Sequence, residues 1–372
     1  MSKVVKSLAF VVLAVFTLHA EALVVLQQFS LPLSIEHDSN PTLAENNKQS
    51  IWLYTASPTY TISAVENQNT WFSTLGLRLQ RSSDKDISID REDPNLVLGW
   101  ERQLEKGNFK LVGNYNESST RATELRTTGL VNQDVTATTK SLAADWTRLL
   151  TERLSLALGA GLLKNSYDAP GFTAYTTKSI DSSLNYQVNE KLATFVSAGY
   201  VKYKSDSQGG LVASNTQNSQ NTQNYLLGIT YLLSPQLDFS IAIGVNRTSS
   251  AGSGRVGSAS FNYIADRHKI NGAVGRSVAA SGIGDFQESD SYSLGYSYML
   301  SDISEVGTTF SYQKNNSLNT NETMFLNGFY SRSLSDRWAL RLSLDLRKQK
   351  TETQTANGEV AGLTLIYNTP EF

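Results

Sequence analysis

Three histidines, scattered carboxylates and no cysteine are what this 372-residue chain offers for chemistry. Without a thiol there is no disulfide framework, no thiolate metal site and no cysteine nucleophile. His19 lies in an apolar N-terminal run, which leaves His37 and His268. Some lipid and protein hydrolases set a histidine beside Ser or Asp, so His37 is the one candidate for hydrolysis. A polar residue where a strand meets its loop accounts for His37 more simply, and His268, beside a turn, reads as interfacial. Asp84, Asp86, Asp90, Glu92 and Asp93 form an acidic stretch whose oxygens suit Ca²⁺, although a solvated loop has the same composition. No His/Asp/Glu set has the spacing of a metal site. Gly209-Gly210 and Gly252-Ser253-Gly254 lack the strand-to-helix setting of a phosphate cradle and read as loop glycines. The sequence therefore points to no catalytic residue, no metal and no cofactor.

The elements that carry these residues are strands. Trp338, Leu340, Leu342, Leu344 and Leu346 alternate with Ala339, Arg341, Ser343, Asp345 and Arg347, and a period of two means a strand with one apolar and one polar face. Met324, Leu326, Gly328 and Tyr330 do the same upstream, with Leu334–Arg337 as the turn between. The hairpin recurs along the chain, giving about 18 strands of roughly 9–12 residues, and no helix is evident after the N-terminal segment. Connections alternate in length. Short ones fall at Glu66–Asn69, Leu104–Gly107, Leu150–Arg153, Val188–Lys191, Leu233–Gln236, Ile264–Arg267, Leu300–Ile303 and Leu334–Arg337. Longer polar ones lie between, among them 38–50, 82–94, 117–133 and the Ser/Asn/Gln-rich 205–223.

The N-terminus reads as an export signal. Lys3 and Lys6 precede the apolar Leu8–Leu18, and Ala20-Glu21-Ala22 is a cleavage site. A membrane anchor continuing through Leu23–Leu26 is the alternative, but His19 and Glu21 interrupt it, and the unbroken run falls short of the roughly 20 residues a spanning helix needs. The expected organisation is a signal peptide over 1–22 and one domain over 23–372. The formal net charge of −2 gives no reason to expect a nucleic-acid partner.

An exported chain of such strands either buries its apolar faces in a sandwich or turns them to lipid as a transmembrane barrel. Three features favour the barrel. Strand lengths match a tilted bilayer crossing, and short turns alternate with long loops. Aromatics sit at strand ends: Trp71, Trp100, Trp146, Tyr186, Tyr231, Tyr263, Tyr298, Tyr330 and Trp338 flank short turns on the apolar face, as a membrane interface selects. Charges on that face occur only near its ends, at Lys140, Lys202, Arg276 and Arg332, whereas a midplane charge costs roughly 2–4 kcal/mol. The expected fold is all-β: a transmembrane antiparallel up-and-down β-barrel of about 18 strands (16–18), with short periplasmic turns and longer external loops. By parity, Arg78, Glu101, Lys110, Asp145, Asp181, Asp238, Lys269, Arg341, Asp345 and Arg347 are lumen-lining candidates. Their signs balance, which argues against strong ion selectivity. Cross-strand pairing and solvation explain them more readily than a substrate track.

The pattern resembles the proteobacterial outer-membrane β-barrel porin family known as β-barrel porin 2. The residues that carry the likeness are Asp38-Ser39-Asn40-Pro41, Arg121 to Val131 (RATELRTTGLV), and the repeated turns LTER, IADR and LSDR. It spans the mature chain on short, moderately specific motifs. The resemblance implies residence in the outer membrane of a Gram-negative cell, among lipid, after insertion by the barrel-assembly machinery, which reads a final strand ending in an aromatic residue. Phe372 is terminal here, but it is out of phase with Leu363, Leu365 and Tyr367, and Pro370 intervenes. The expected activity is passive transport of small hydrophilic solutes, with the 117–133 and 205–223 loops partly gating the mouth. An envelope accessory barrel tied to exopolysaccharide export is the alternative that the resemblance suggests.

Overall fold

A computed structural model describes residues 24–127, 134–168, 172–205, 219–249, 252–282, 285–316 and 320–370. The expected signal peptide over 1–22, Gly209-Gly210 with most of the 205–223 loop, and Phe372 lie outside the described residues. In chain order the elements are β1 (Val24–Asp38), β2 (Ile51–Ala56), β3 (Thr59–Glu66), β4 (Asn69–Ser82), β5 (Arg91–Leu104), β6 (Gly107–Ser119), α1 (Thr120–Thr127), β7 (Thr136–Leu149), β8 (Leu154–Tyr167) and β9 (Tyr175–Gln187). They continue as β10 (Leu192–Ser205), β11 (Ser219–Ser234), β12 (Leu237–Thr248), β13 (Gly252–Ala265), β14 (His268–Ala280), β15 (Phe286–Ser301), β16 (Ser304–Asn316), β17 (Asn321–Ser333), β18 (Trp338–Thr351) and β19 (Thr355–Asn368).

All nineteen strands belong to one antiparallel sheet, which closes where Ser30–Asp38 of β1 runs opposite Val360–Asn368 of β19. β2 and β3 are two halves of one stave: β1 and β4 each pair with both. The barrel therefore has eighteen staves and one interruption. The cause of the break is Pro58, which has no N–H to give the ladder. Pairing resumes around it through Ser57 N–H to the Pro32 carbonyl (2.9 Å) and Leu77 N–H to the Pro58 carbonyl (3.1 Å).

Alternation produces a molecule that is apolar outside. Ile180 is 66% exposed, Ile243 65% and Val196 57%, and Leu342, Leu344 and Leu346 of β18 are exposed as well. A soluble monomer does not show a continuous apolar surface of this kind, and closure has removed every sheet edge, as a bilayer requires. Buried apolar side chains are few among the described residues, and Leu43, Leu125 and Ala356 form a cluster with Phe325 against them at the long-loop end.

All eight short connections occur where the sequence places them. Asn67 (φ 53°) and Asp266 (φ 43°) take the left-handed conformation in two of these turns, a region that Asn and Asp tolerate through local hydrogen bonding. Aromatic side chains cluster beside the turns. Trp71 stacks on Trp100 at 5.5 Å, and Trp338 lies 4.9 Å from Tyr367.

Two sequence expectations need correction. Strands are longer than expected, 12–16 residues for β4 to β19, and Gly252-Ser253-Gly254 belongs to β13, opposite Asn246–Thr248, rather than to a loop. The backbone ladder runs on past the apolar band into polar sequence, where hydropathy gives no period to detect. The second correction is α1. Eight residues inside a polar loop are too few to show a helical repeat, and the helix owes its place to the contacts described below.

Inside the barrel, three phenylalanines lie across glycines on the neighbouring strand: Phe72 over Gly99, Phe195 over Gly228 and Phe329 over Gly307. A Cβ on Gly99 would fall 1.9 Å from Phe72 Cζ. Gly99→Val should therefore cost about 1–3 kcal/mol through overpacking, seen as a lower urea midpoint for the barrel refolded in lipid. Adding Phe72→Leu should recover most of it, and an unchanged midpoint in the single variant would contradict the packing.

Candidate functional site

Opposite the short turns, the described residues of the loops after β1, β4 and β6 meet around a cavity at the barrel mouth. The first of them is fastened by Asp38-Ser39-Asn40-Pro41. Asn40, with no exposed surface, donates from Nδ2 to the carbonyls of Ala44 and Asn357 (both 2.8 Å) and accepts the Ala44 N–H at 3.0 Å. Its own N–H bonds the Asp38 carboxylate at 3.0 Å, and Asp38 is ion-paired with Arg347 of β18. Leu43, with φ 48°, is held in a conformation that costs a non-glycine residue about 1–2 kcal/mol. That geometry aims its side chain at Leu125 of α1.

α1 begins at a Ser119 cap, whose Oγ accepts the Arg121 N–H at 3.2 Å. Thr120 Oγ1 takes the N–H of Val135 at 3.2 Å, which closes the base of the loop. Asp134 anchors the far side: it accepts from Ser88 (2.7 Å), contacts Ser119, and lies 3.4 Å from Arg91 Nη1. Arg91 is the centre of this anchor. It forks onto both oxygens of Asp93 at 3.0 Å and reaches Thr136 at 3.2 Å, with 1% of its side chain exposed. Asp93 and Asp134 are nearly as buried. Three charges out of water are tolerable because Arg91 bridges both carboxylates and reaches the Thr136 hydroxyl, while Ser88 and Ser119 hydroxyls meet Asp134.

A cavity of about 330 Å³ remains between these loops and the wall. Glu36, Asp38, Asp134 and Asp345 line it against Arg78, Arg121 and Arg347. Burial pulls the Arg121 guanidinium below its ordinary pKa, against the pull of Asp134 and Asp38, and Arg347 adds a smaller push the same way as burial. Nε of Arg121 and Nε of Arg347 are both buried without a hydrogen-bond partner. The mouth thus holds two donors with unused capacity among four carboxylates.

Of the lumen candidates, the fold brings Arg78, Asp345 and Arg347 together on this cavity. Arg78 bonds Gln80 at 2.9 Å, and Asp345 accepts from Asn327 at 2.6 Å. Glu101, Lys110 and Asp145 form a separate cross-strand row of alternating sign. Asp181 sits between Gly159 and Gly199, Asp238 opposite Asn262, and Lys269 opposite Ser297. The Arg341 guanidinium lies 4.0 Å from the Phe329 ring centroid. Sequence reasoning missed Arg91, Arg121 and Asp134. Asp38 and Glu36 were findable by extending the Ser34 parity of β1 two steps. Nothing local marks Arg91 or Asp134.

The histidines are placed away from this site. His37 packs its ring 4.8 Å from Trp52 on the outer face. His268 bonds the Tyr296 hydroxyl at 3.1 Å and lies 4.8 Å from Tyr298. The acidic loop is tied up in pairs, Lys85 with Asp90 at 2.9 Å and Arg81 with Glu92 at 3.1 Å. Hydrogen bonding to Lys85 holds Asp90 below the usual carboxylate range, so this contact is complete above that range and is lost as pH falls through the lowered value. Among the described residues, no three His, Cys, Asp or Glu side chains are grouped to hold a metal.

A closed barrel with an apolar exterior, short turns at one end and longer loops at the other has the architecture of an outer-membrane β-barrel. Residues 126–263 match the family model described as "Putative MetA-pathway of phenol degradation". No curated protein matches the chain. Among solved structures, OccAB4 of Acinetobacter baumannii is similar over 94% of this chain and 98% of its own, with a TM-score of 0.54 and 11% identity. OpdQ of Pseudomonas aeruginosa covers 93% and is covered to 99% (TM-score 0.52, 11% identity). The siderophore receptor PirA of Acinetobacter baumannii covers 92% and is covered to 80% (TM-score 0.54, 9% identity). At such identities the likeness is one of fold.

Proposed function

We propose that this barrel is a passive channel for small hydrophilic solutes, narrowed at its external mouth by the loop that carries Asn40 and by the α1 loop that Arg91 of β5 anchors. The observation behind the reading is the inward-folded mouth itself: a charge-lined cavity of about 330 Å³ sits where a diffusing solute must pass. Eighteen staves are in the range that leaves an aqueous lumen, and mixed charges favour uncharged or zwitterionic polar solutes over one ion class. Glu101, Lys110, Asp145, Asp181, Asp238, Lys269 and Arg341 would then solvate the path on the side nearer the short turns. Refolded protein in a planar bilayer should give discrete conductance steps, and a swelling assay with sugars, amino acids and phenol would rank solutes by size and polarity. Phenol enters that panel because of the wording of the matching family description. Conductance indistinguishable from protein-free bilayers would overturn the channel.

A further inference from the structure

The outer surface carries an arc of cations that the chain does not neutralise. On β7, β8, β9 and β10, Lys140, Lys164, Lys178 and Lys202 point outward near the loop end. Each stands two residues beyond an exposed apolar side chain of the same face: Leu142, Leu162, Ile180 and Tyr200. Lys140 lies directly opposite Lys164, and Lys178 opposite Lys202. Like charges set across a strand pair are destabilising, and none of the ion pairs among the described residues involves these lysines. The Lys140 ammonium lies 5.5 Å from the Tyr115 ring centroid, and Glu117, the acid next along that strand, is bonded to the Tyr115 hydroxyl. Across the barrel the same loop-end zone is neutralised internally. Arg276 forks onto Asp290 at 2.6 and 2.8 Å, and Lys314 meets Glu322 at 3.8 Å. One arc is paired upon itself, and the lysines of the other make no ion pair among the described residues, with Glu117 and Asp168 as the acids acting on Tyr115 beside Lys140.

We propose that the lysine arc binds the phosphate groups of an anionic lipid of the external leaflet. A lipid is the occupant that fits both halves of the surface. Its acyl chains cover the apolar rows of Leu142, Leu162 and Ile180, while its phosphates, held at the depth where those rows end, meet the lysines. A soluble anion has no use for the apolar rows, and a second copy of the chain would have to offer a free acidic stripe, whereas Asp290 and Glu322 are already paired. A lysine near an anionic membrane surface contributes about 1 kcal/mol, roughly five-fold in affinity. The inference rests on the membrane orientation of the barrel and not on its conductance.

The test uses the full barrel refolded in zwitterionic detergent, titrated with a bisphosphorylated glycolipid and read by native mass spectrometry as bound lipids per barrel. Wild type should retain the lipid. K140Q/K164Q/K178Q/K202Q should lose retention by a hundred-fold or more, four five-fold steps being the upper bound. R276Q/K314Q should bind like wild type, and heat-modifiable gel mobility should show that every variant is folded. The dephosphorylated glycolipid should bind wild type no better than it binds the quadruple variant. Equal retention by wild type and the quadruple variant would overturn the proposal. So would full displacement of the lipid by millimolar inorganic phosphate, or a wild-type dimer that the quadruple variant abolishes.

Discussion

Arg91→Ala should widen the mouth and raise single-channel conductance, because it removes the one cation shared by two buried carboxylates. Asp93 and Asp134 would be left charged and nearly solvent-free, and breaking a buried ion pair from one side costs about 3–5 kcal/mol. The barrel has a way to escape most of that penalty. Asp134 belongs to the loop after α1, so swinging the loop outward rehydrates it without disturbing any strand pairing. The loss should therefore appear as local opening: larger conductance steps, faster proteolysis within 120–135, and an unchanged urea midpoint for the barrel. Arg91→Lys keeps the charge but not the fork onto Asp93, and should fall between wild type and alanine. Conductance and protease resistance both at wild-type values would show that the Arg91 anchor does not hold the loop.

Asn40→Ala should open the mouth from the opposite side. Three hydrogen bonds disappear, leaving two carbonyls and one N–H in a buried setting, at about 1 kcal/mol or more each. The strained backbone at Leu43 has no further reason to persist, since the Asn40 bonds are what outweigh its unfavourable φ. Leu43 then leaves Leu125, and α1 keeps only Phe325 and Ala356 of its apolar contacts. The expected signature is protease cleavage in both 39–50 and 120–135. The two variants should not add. Each releases α1, so R91A/N40A should cost measurably less than the sum of the single changes. Strict additivity would mean that the two loops act independently.

The particular residues show how far the sequence reached. Alternation in segments such as Trp338–Arg347 is a local property, imposed because one face of each strand meets lipid and the other water, so it is written into every strand separately. Stave number, short turns, loop asymmetry and the outward aromatic ends were legible for that reason. Pro58 could have warned of the broken stave, since a missing N–H is also local. The mouth was different. Arg91 looked like one charge in an acidic loop, and Asp134 like one acid in a polar one; they become an anchor only when β5 and the loop after α1 approach across 43 residues of chain. α1 has no amphipathic repeat, and its position is set by Leu43, Phe325 and Ala356 from distant segments. The sequence by itself determined that this chain is a barrel and which face of each strand turns to lipid, because solvent partition acts residue by residue. Only the tertiary structure decided where the loops go, because Asp38 and Arg347 meet only when the sheet closes, and Arg91 and Asp134 only when the ends of β5 and β7 are drawn together across β6.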